Sequence, residues 1–226
     1  LNGDAYSNTN VTVTVPELGD IRIDQGSSGT GIDRIDDVTP NVWEEAYATG
    51  LGTGIDTIKG SSGGSTIEYT PNMMPDGLTA VLAYSPNTAG SNAGDKASAA
   101  GAASDPQGSG YDVTLTATDA ITGMPGLTLY AGISQMEQDH TGLAGYDDDK
   151  SETTYAITYA AGGFTVGYQY SEEDLGRSAS EQEYENEGYG ITFNVNDDLS
   201  IGYNHTESDK SGTSADAEAD SFQIAY

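Results

Sequence analysis

Residues 155–170 read Tyr155-Ala156-Ile157-Thr158-Tyr159-Ala160-Ala161-Gly162-Gly163-Phe164-Thr165-Val166-Gly167-Tyr168-Gln169-Tyr170. Tyr155, Ile157 and Tyr159 alternate with small or polar residues, and Phe164, Val166, Tyr168 and Tyr170 do the same beyond the glycine pair. A period of two places each set on one face of a strand, and Ala161-Gly162-Gly163 between them reads as a tight reversal. The stretch is a hairpin whose strands each carry one apolar, tyrosine-rich face.

The same rhythm extends in both directions. Val11, Val13 and Val15 alternate with threonines, Ile21 and Ile23 with Asp20, Arg22 and Asp24, and Ile67 and Tyr69 flank Glu68. Leu78, Ala80, Leu82 and Tyr84 share a face, as do Val113, Leu115 and Ala117, and Leu127, Leu129, Ala131 and Ile133. Tyr189 to Val195, Leu199 to Tyr203 and Phe222 to Tyr226 complete about eleven strands, and no helical period competes with them. The connections are also ordered. Residues 17–19, 71–77, 119–126, 161–163 and 196–198 are short, and between them lie long polar segments at 27–64, 86–110, 138–151, 172–187 and 207–219. Strict alternation of short and long sends every long connection to one end of an up-and-down sheet. The expectation is an all-β, antiparallel transmembrane β-barrel forming a single domain over 1–226, with short turns at one end and long acidic loops at the other.

Composition narrows the function classes. The 226 residues hold 36 Asp and Glu against 7 Lys and Arg, a formal net charge of −29, so nucleic acid is excluded as a partner. Absence of cysteine excludes disulfides, thiolate metal sites and cysteine nucleophiles. Mean hydropathy is −0.47 and no apolar run reaches the length of a membrane helix, which leaves strands free to cross. The chain has 15 Tyr against 3 Phe and 1 Trp, and Tyr84, Tyr155, Tyr170, Tyr189, Tyr203 and Tyr226 fall at or near the ends of apolar faces, as in an aromatic girdle. Charge is concentrated in the long segments, as in 172–187. No signal peptide opens at Leu1, which implies removal of a leader or a fragment.

Segment 27–64 is the longest connection and the most individual. Glycine- and serine-rich tracts open and close it, and inside it Thr39 and Pro40 read as the cap and first residue of a short helix ending at Gly50. Val42, Trp43, Ala46 and Tyr47 supply an apolar stripe for that helix, surrounded by Asp33, Asp36, Asp37, Glu44, Glu45 and Asp56. A loop of this length with an element of its own is read as folded inward against the barrel wall.

The run Glu17-Leu18-Gly19-Asp20-Ile21-Arg22-Ile23-Asp24, the loop through Asp36-Asp37-Val38-Thr39-Pro40, Tyr47 and Gly50, and the return from Ser65 to Pro71 resemble the general diffusion porins of Gram-negative outer membranes, the trimeric sixteen-stranded family. The resemblance implies a bacterial outer-membrane location, contact with lipid and lipopolysaccharide, a homotrimer, and passive diffusion of small hydrophilic solutes and ions without a cofactor. It implies that 27–64 is the constriction loop, that Arg22 and Asp24 lie on the wall beside it, and that Asp33, Asp36, Asp37, Glu44, Glu45 and Asp56 line the eyelet. It also places this chain at strands four to fourteen, with three strands missing before it and two after. Because the acidic loop residues outnumber Arg22, Arg34 and Lys59, cation preference is expected.

Other readings compete with parts of this one. Asp147, Asp148 and Asp149 offer oxygen ligands to Ca²⁺, but without the spacing of an EF-hand, and adjacent carboxylates in water repel. His140 and His205 read as isolated surface residues. No nucleophile–base pair, phosphate loop or zinc motif can be assembled, so an enzyme is not expected. The alternative class is a secreted or surface acidic β-sandwich or solenoid with an adhesive or binding role. Its strands would turn polar, lysine-bearing faces to water, whereas the polar faces here are rich in Thr, Ser and Gly.

Overall fold

The computed structural model describes residues 9–25, 29–43, 57–61, 65–86, 88, 107–138, 148–176, 183–211 and 216–226. Eleven strands follow in order: β1 (Thr9–Val15), β2 (Gly19–Gln25), β3 (Ser65–Pro71), β4 (Leu78–Ser85), β5 (Gln107–Ala117), β6 (Leu127–Gln138), β7 (Lys150–Ala161), β8 (Phe164–Asp174), β9 (Glu183–Asn196), β10 (Leu199–Lys210) and β11 (Ala217–Ala225). They form one antiparallel sheet in which spatial order is sequence order. The up-and-down topology expected from the alternating connections is therefore present. Among the described residues β1 and β11 each pair on one side only, so the sheet is not closed. The helices are small: a 3-10 turn at Gly31–Ile35 and α1 (Asp119–Thr122) in the connection from β5 to β6.

The short connections have local causes. Between β7 and β8, Gly162 and Gly163 both take positive φ, 57° and 89°, which a tight two-residue hairpin turn needs and glycine adopts without strain. Between β9 and β10, Asn196 Oδ1 accepts the Asp198 N–H at 2.9 Å, closing the turn with a side chain.

The two faces of the sheet are inverted relative to a water-soluble protein. Apolar side chains on the alternating face stay exposed, among them Val11, Ile23, Ile133, Tyr155 and Ile191. Polar and charged side chains on the other face are buried, with Asp24, Glu68, Asp112, Glu152 and Glu173 all at 3% exposure or less. Hydrocarbon outside and a covered polar face inside account for both observations. A β-sandwich or solenoid would instead cover the apolar face with a second layer, and the described residues provide none. On the outward face aromatic rings meet across strands: Tyr155 stacks on Tyr170 at 5.1 Å, Phe164 on Phe193 at 4.1 Å, and Tyr203 tilts against Phe222 at 5.0 Å. Register brings these rings together, because Tyr155 lies directly opposite Tyr170, Phe164 opposite Phe193 and Tyr203 opposite Phe222.

The outward face has a measurable signature. Ile191, flanked in register by Val166 and Tyr203, lies midway along an apolar stripe. Ile191→Arg is expected to destabilise the protein in lipid vesicles by about 2–4 kcal/mol. Thr192→Arg, one residue on and facing inward, is expected to cost less. Equilibrium unfolding of both variants in vesicles measures the difference, and equal losses would contradict the assignment of faces.

Candidate functional site: a loop seated on the inner wall

One row of inward-facing residues crosses the sheet horizontally. Pairing places Arg22 beside Glu68, Glu68 beside Ala83, Ala83 beside Asp112, Asp112 beside Ser134, Ser134 beside Glu152, and Glu152 beside Glu173. The row continues through Tyr184 to Lys210, whose Nζ sits 4.8 Å over the Tyr184 ring. Four carboxylates on neighbouring inward positions need hydrogen-bond donors or positive charge once buried. The long loop supplies them.

The loop begins with a compact turn. The Gly29 N–H donates to Asp33 Oδ2 at 2.7 Å, and the Arg34 Nε–H donates to the Gly31 carbonyl at 3.0 Å. Its backbone then donates into the row. The Gly31 N–H reaches Glu68 Oε1 at 2.8 Å, and Arg34 forms an ion pair with the same oxygen. The Ile32 N–H reaches Asp112 Oδ2 at 3.0 Å, and from the returning limb the Ser61 N–H reaches Asp112 Oδ1 at 3.0 Å. The Lys59 N–H donates to Glu152 Oε2 at 2.8 Å, and Gly60 donates to that oxygen too. Lys150 is paired with both Glu152 and Glu173. Departing and returning limbs are thus held by one row of wall carboxylates. Bonds from N–H groups to ionised acceptors are the stronger kind, roughly 1.5–3 kcal/mol each.

Further along, wall amides take over. Gln169 Oε1 accepts the Val38 N–H at 2.9 Å, while its Nε2 donates to the Ile35 and Asp36 carbonyls at 2.8 Å each. Asn204 Nδ2 donates to the Pro40 carbonyl at 2.7 Å, and Gln223 Oε1 accepts the Val42 N–H at 2.8 Å. The loop therefore crosses the inner face from β3 to β11. Ile32, Ile35 and Ile58 form a small apolar core beneath it, with Val38 and Tyr130 against them.

Glycines make the close approach workable. Gly31 and Gly60 have φ of 57° and 67°, and a Cβ on Gly31 would lie 1.8 Å from Asp112 Oδ2. On the wall, a Cβ at Gly132 would strike Ile32, one at Gly167 would strike Pro40, and one at Gly190 would meet both Asn204 and the Pro40 carbonyl. These wall glycines form a shallow lane in which the loop lies flush.

The residues singled out from sequence are distributed as follows. The Arg22 guanidinium pairs on the wall with Asp24 at 2.6 Å and Glu68 at 3.5 Å. Asp24 is buried in that pair. Asp33 closes the first turn of the loop. Asp36 and Asp37 line a small polar recess with Gln169, Ser171, Asn186 and Thr206. Glu44, Glu45, Asp56 and Asp147 lie outside the described residues, as does His140. Gln135 Nε2 donates to Asp149 Oδ2 at 3.3 Å, and the Asp149 N–H donates to Asp148 Oδ1. His205 is not isolated, since its Nδ1 lies 3.0 Å from Asp220.

The helix expected from Pro40 does not begin there: Thr39 to Trp43 form no helical turn, and among the described residues of the loop the helical turn is at Gly31–Ile35; residues 44–50 of the expected helix lie outside the described residues. Asn204 of the wall engages the Pro40 carbonyl, which a helix from Pro40 would need for its own backbone hydrogen bond. The wall residues that hold the loop, Glu68, Glu152, Glu173, Lys150, Gln169 and Gln223, are not among the residues singled out from sequence, although each sits on the polar phase of a strand whose other phase is apolar.

Comparison with known proteins agrees with this fold. The profile of the Gram-negative porin family matches residues 4–226. The chain belongs to that family. Porins of this family reside in the bacterial outer membrane, and this one is placed there with them. Among solved structures, this porin is similar to outer-membrane expressed OmpT of Vibrio cholerae, with a TM-score of 0.60 at 14% identity over 97% of this chain and 65% of that one. It is also similar to the outer membrane channel DcaP of Acinetobacter baumannii, with a TM-score of 0.52 at 10% identity over 96% of this chain and 60% of that one. This porin chain therefore spans less than two thirds of the length of either structure. No curated protein matches it.

Removal of one wall carboxylate tests how the loop is held. Asp112→Ala leaves the buried Ile32 and Ser61 N–H groups without their acceptor, at about 1–3 kcal/mol each. The expected outcome is faster proteolytic cleavage within 27–64 in the detergent-solubilised protein, with the strands still protected. Unchanged cleavage would show that Asp112 does not hold the loop.

Proposed function

We propose that this chain forms the wall and constriction of a water-filled outer-membrane channel through which small hydrophilic solutes and ions diffuse passively, with a preference for cations. The observation that carries the reading is a loop seated across a buried polar face while the opposite, apolar face stays exposed. A loop lying on the inner wall narrows a lumen without closing it, and a polar lining lets hydrated solutes pass.

Cation preference follows from how the charges are matched. Arg22 pairs with Asp24 and Glu68, Arg34 pairs with Glu68, and Lys150 pairs with Glu152 and Glu173. Each of these bases is neutralised locally, so none acts as an isolated positive centre for anions. Asp36 and Asp37 border the polar recess, and Glu44, Glu45 and Asp56 add carboxylates elsewhere in the segment. Only charges within about 8 Å of the ion path act strongly at physiological ionic strength, so the loop carboxylates dominate.

Reconstituted protein is expected to conduct ohmically in planar bilayers and to give a cation-selective reversal potential in a potassium chloride gradient. With Asp36, Asp37, Glu44 and Glu45 changed to Asn or Gln, selectivity is expected to move toward that of free solution. Anion selectivity in the wild type, or no movement in the variant, would sink this reading.

The family resemblance further supports a homotrimer joined wall to wall, and small outward residues such as Ala117 and Ala131 permit close contact. The native mass in mild detergent is expected to be three times that of the heat-denatured chain; a monomeric mass would contradict it.

A further inference from the structure

The outward face of β8 to β11 changes character toward its long-loop end. Beyond Tyr170, Tyr189, Tyr203 and Phe222 it becomes acidic, and the strand register sets like charges directly opposite one another. Glu172 faces Glu185, Glu187 faces Glu207, and Glu207 faces Glu218. Directly opposed carboxylates destabilise a sheet, and among the described residues no Lys or Arg lies on this band. Such an arrangement favours any cation that binds there.

One point of the band has more than charge. His205 lies directly opposite Asp220, and Glu218 stands on the same face two residues earlier. Nδ1 of His205 is 3.0 Å from Asp220 Oδ1 and 3.9 Å from Glu218 Oε1, and one ligand atom from each residue falls within 4.8 Å of the others. Ligand atoms around a tetrahedral ion with bonds of about 2.0–2.1 Å lie about 3.3 Å apart, so small rotations would fit the three to one ion. The supports are in place as well. The Tyr203 hydroxyl donates to Asp220 Oδ1 at 2.6 Å, and the His205 ring stacks on Tyr189 at 4.9 Å. Groups of this kind orient metal ligands.

We propose that His205, Glu218 and Asp220 form a binding site for a divalent transition-metal ion of the Zn²⁺ type on the outward face of β10 and β11, outside the permeation path. An imidazole with two carboxylates suits Zn²⁺, Cu²⁺ or Ni²⁺, whereas Ca²⁺ seeks six to eight oxygens and these residues offer few. Water completes the open position. Binding ties β10 to β11 and relieves the opposed carboxylates beside it. The proposal is independent of the solute preference of the pore.

The sequence contains two histidines, so the assignment can be tested cleanly. Full-length protein stripped with chelator in detergent would be titrated with Zn²⁺ by calorimetry and with Cu²⁺ by electron paramagnetic resonance. The wild type and His140→Ala are expected to show one saturable site with the signature of a single imidazole nitrogen. His205→Ala is expected to bind Zn²⁺ at least tenfold more weakly and to lose the nitrogen signature. Glu218→Gln with Asp220→Asn, which keeps size and shape, should weaken binding similarly while leaving the native mobility of the protein intact. A hundredfold excess of Ca²⁺ should not displace Zn²⁺, and saturating Zn²⁺ should leave single-channel conductance unchanged. The proposal is overturned by absence of saturable binding, by equal affinity in wild type and His205→Ala, by loss in His140→Ala instead, or by Zn²⁺ blocking the pore.

Discussion

The loop stays on the wall because buried carboxylates and buried backbone N–H groups satisfy one another. Glu68, Asp112 and Glu152 could not remain ionised under a protein layer without donors, and the N–H groups of Gly31, Ile32, Lys59, Gly60 and Ser61 could not be buried without acceptors. Each set supplies what the other lacks. This reverses the simplest picture of an acidic loop facing a basic wall: the wall contributes the anions, and the loop answers mainly with its backbone. Arg34 and Lys150 complete the balance at Glu68, Glu152 and Glu173.

A second constraint shapes the outer face. Strands in hydrocarbon must pair their backbone groups with one another and turn apolar side chains outward. Tyrosine and phenylalanine pairs such as Tyr155 with Tyr170 and Phe164 with Phe193 serve this surface and also brace adjacent strands. Because the two faces answer to different solvents, a residue can be assigned to lipid or lumen by its parity along the strand.

That parity is why so much was legible in advance. Alternation is a local signal, readable within a few residues, and it located the strands, the turns and the apolar face. The length of segment 27–64 and its glycine- and serine-rich flanks marked it as an inward loop. The means of holding it were hidden, since Glu68, Asp112, Glu152 and Glu173 become neighbours only through strand register. In sequence Glu68 and Asp112 are single charged residues in their strands, and Glu152 and Glu173 stand among other charged residues with nothing to set them apart. Thr39-Pro40 carried a genuine local helix signal, but Asn204, more than a hundred residues away, claims the Pro40 carbonyl that the helix would need. His205 looked solitary for the same reason, since its partners come from the next strand.

The span of the seated loop bears on how such a chain reaches its native state. Every strand pairs with its neighbours in sequence, so the sheet can assemble by successive pairings. The loop cannot follow that order. Its anchors run from Glu68 on β3 to Gln223 on β11, so its seat is complete only when the last of these strands has arrived. Until then the wall carboxylates face water, where ionisation costs nothing. Seating therefore waits for β11, and a chain halted short of it would carry an incompletely latched loop.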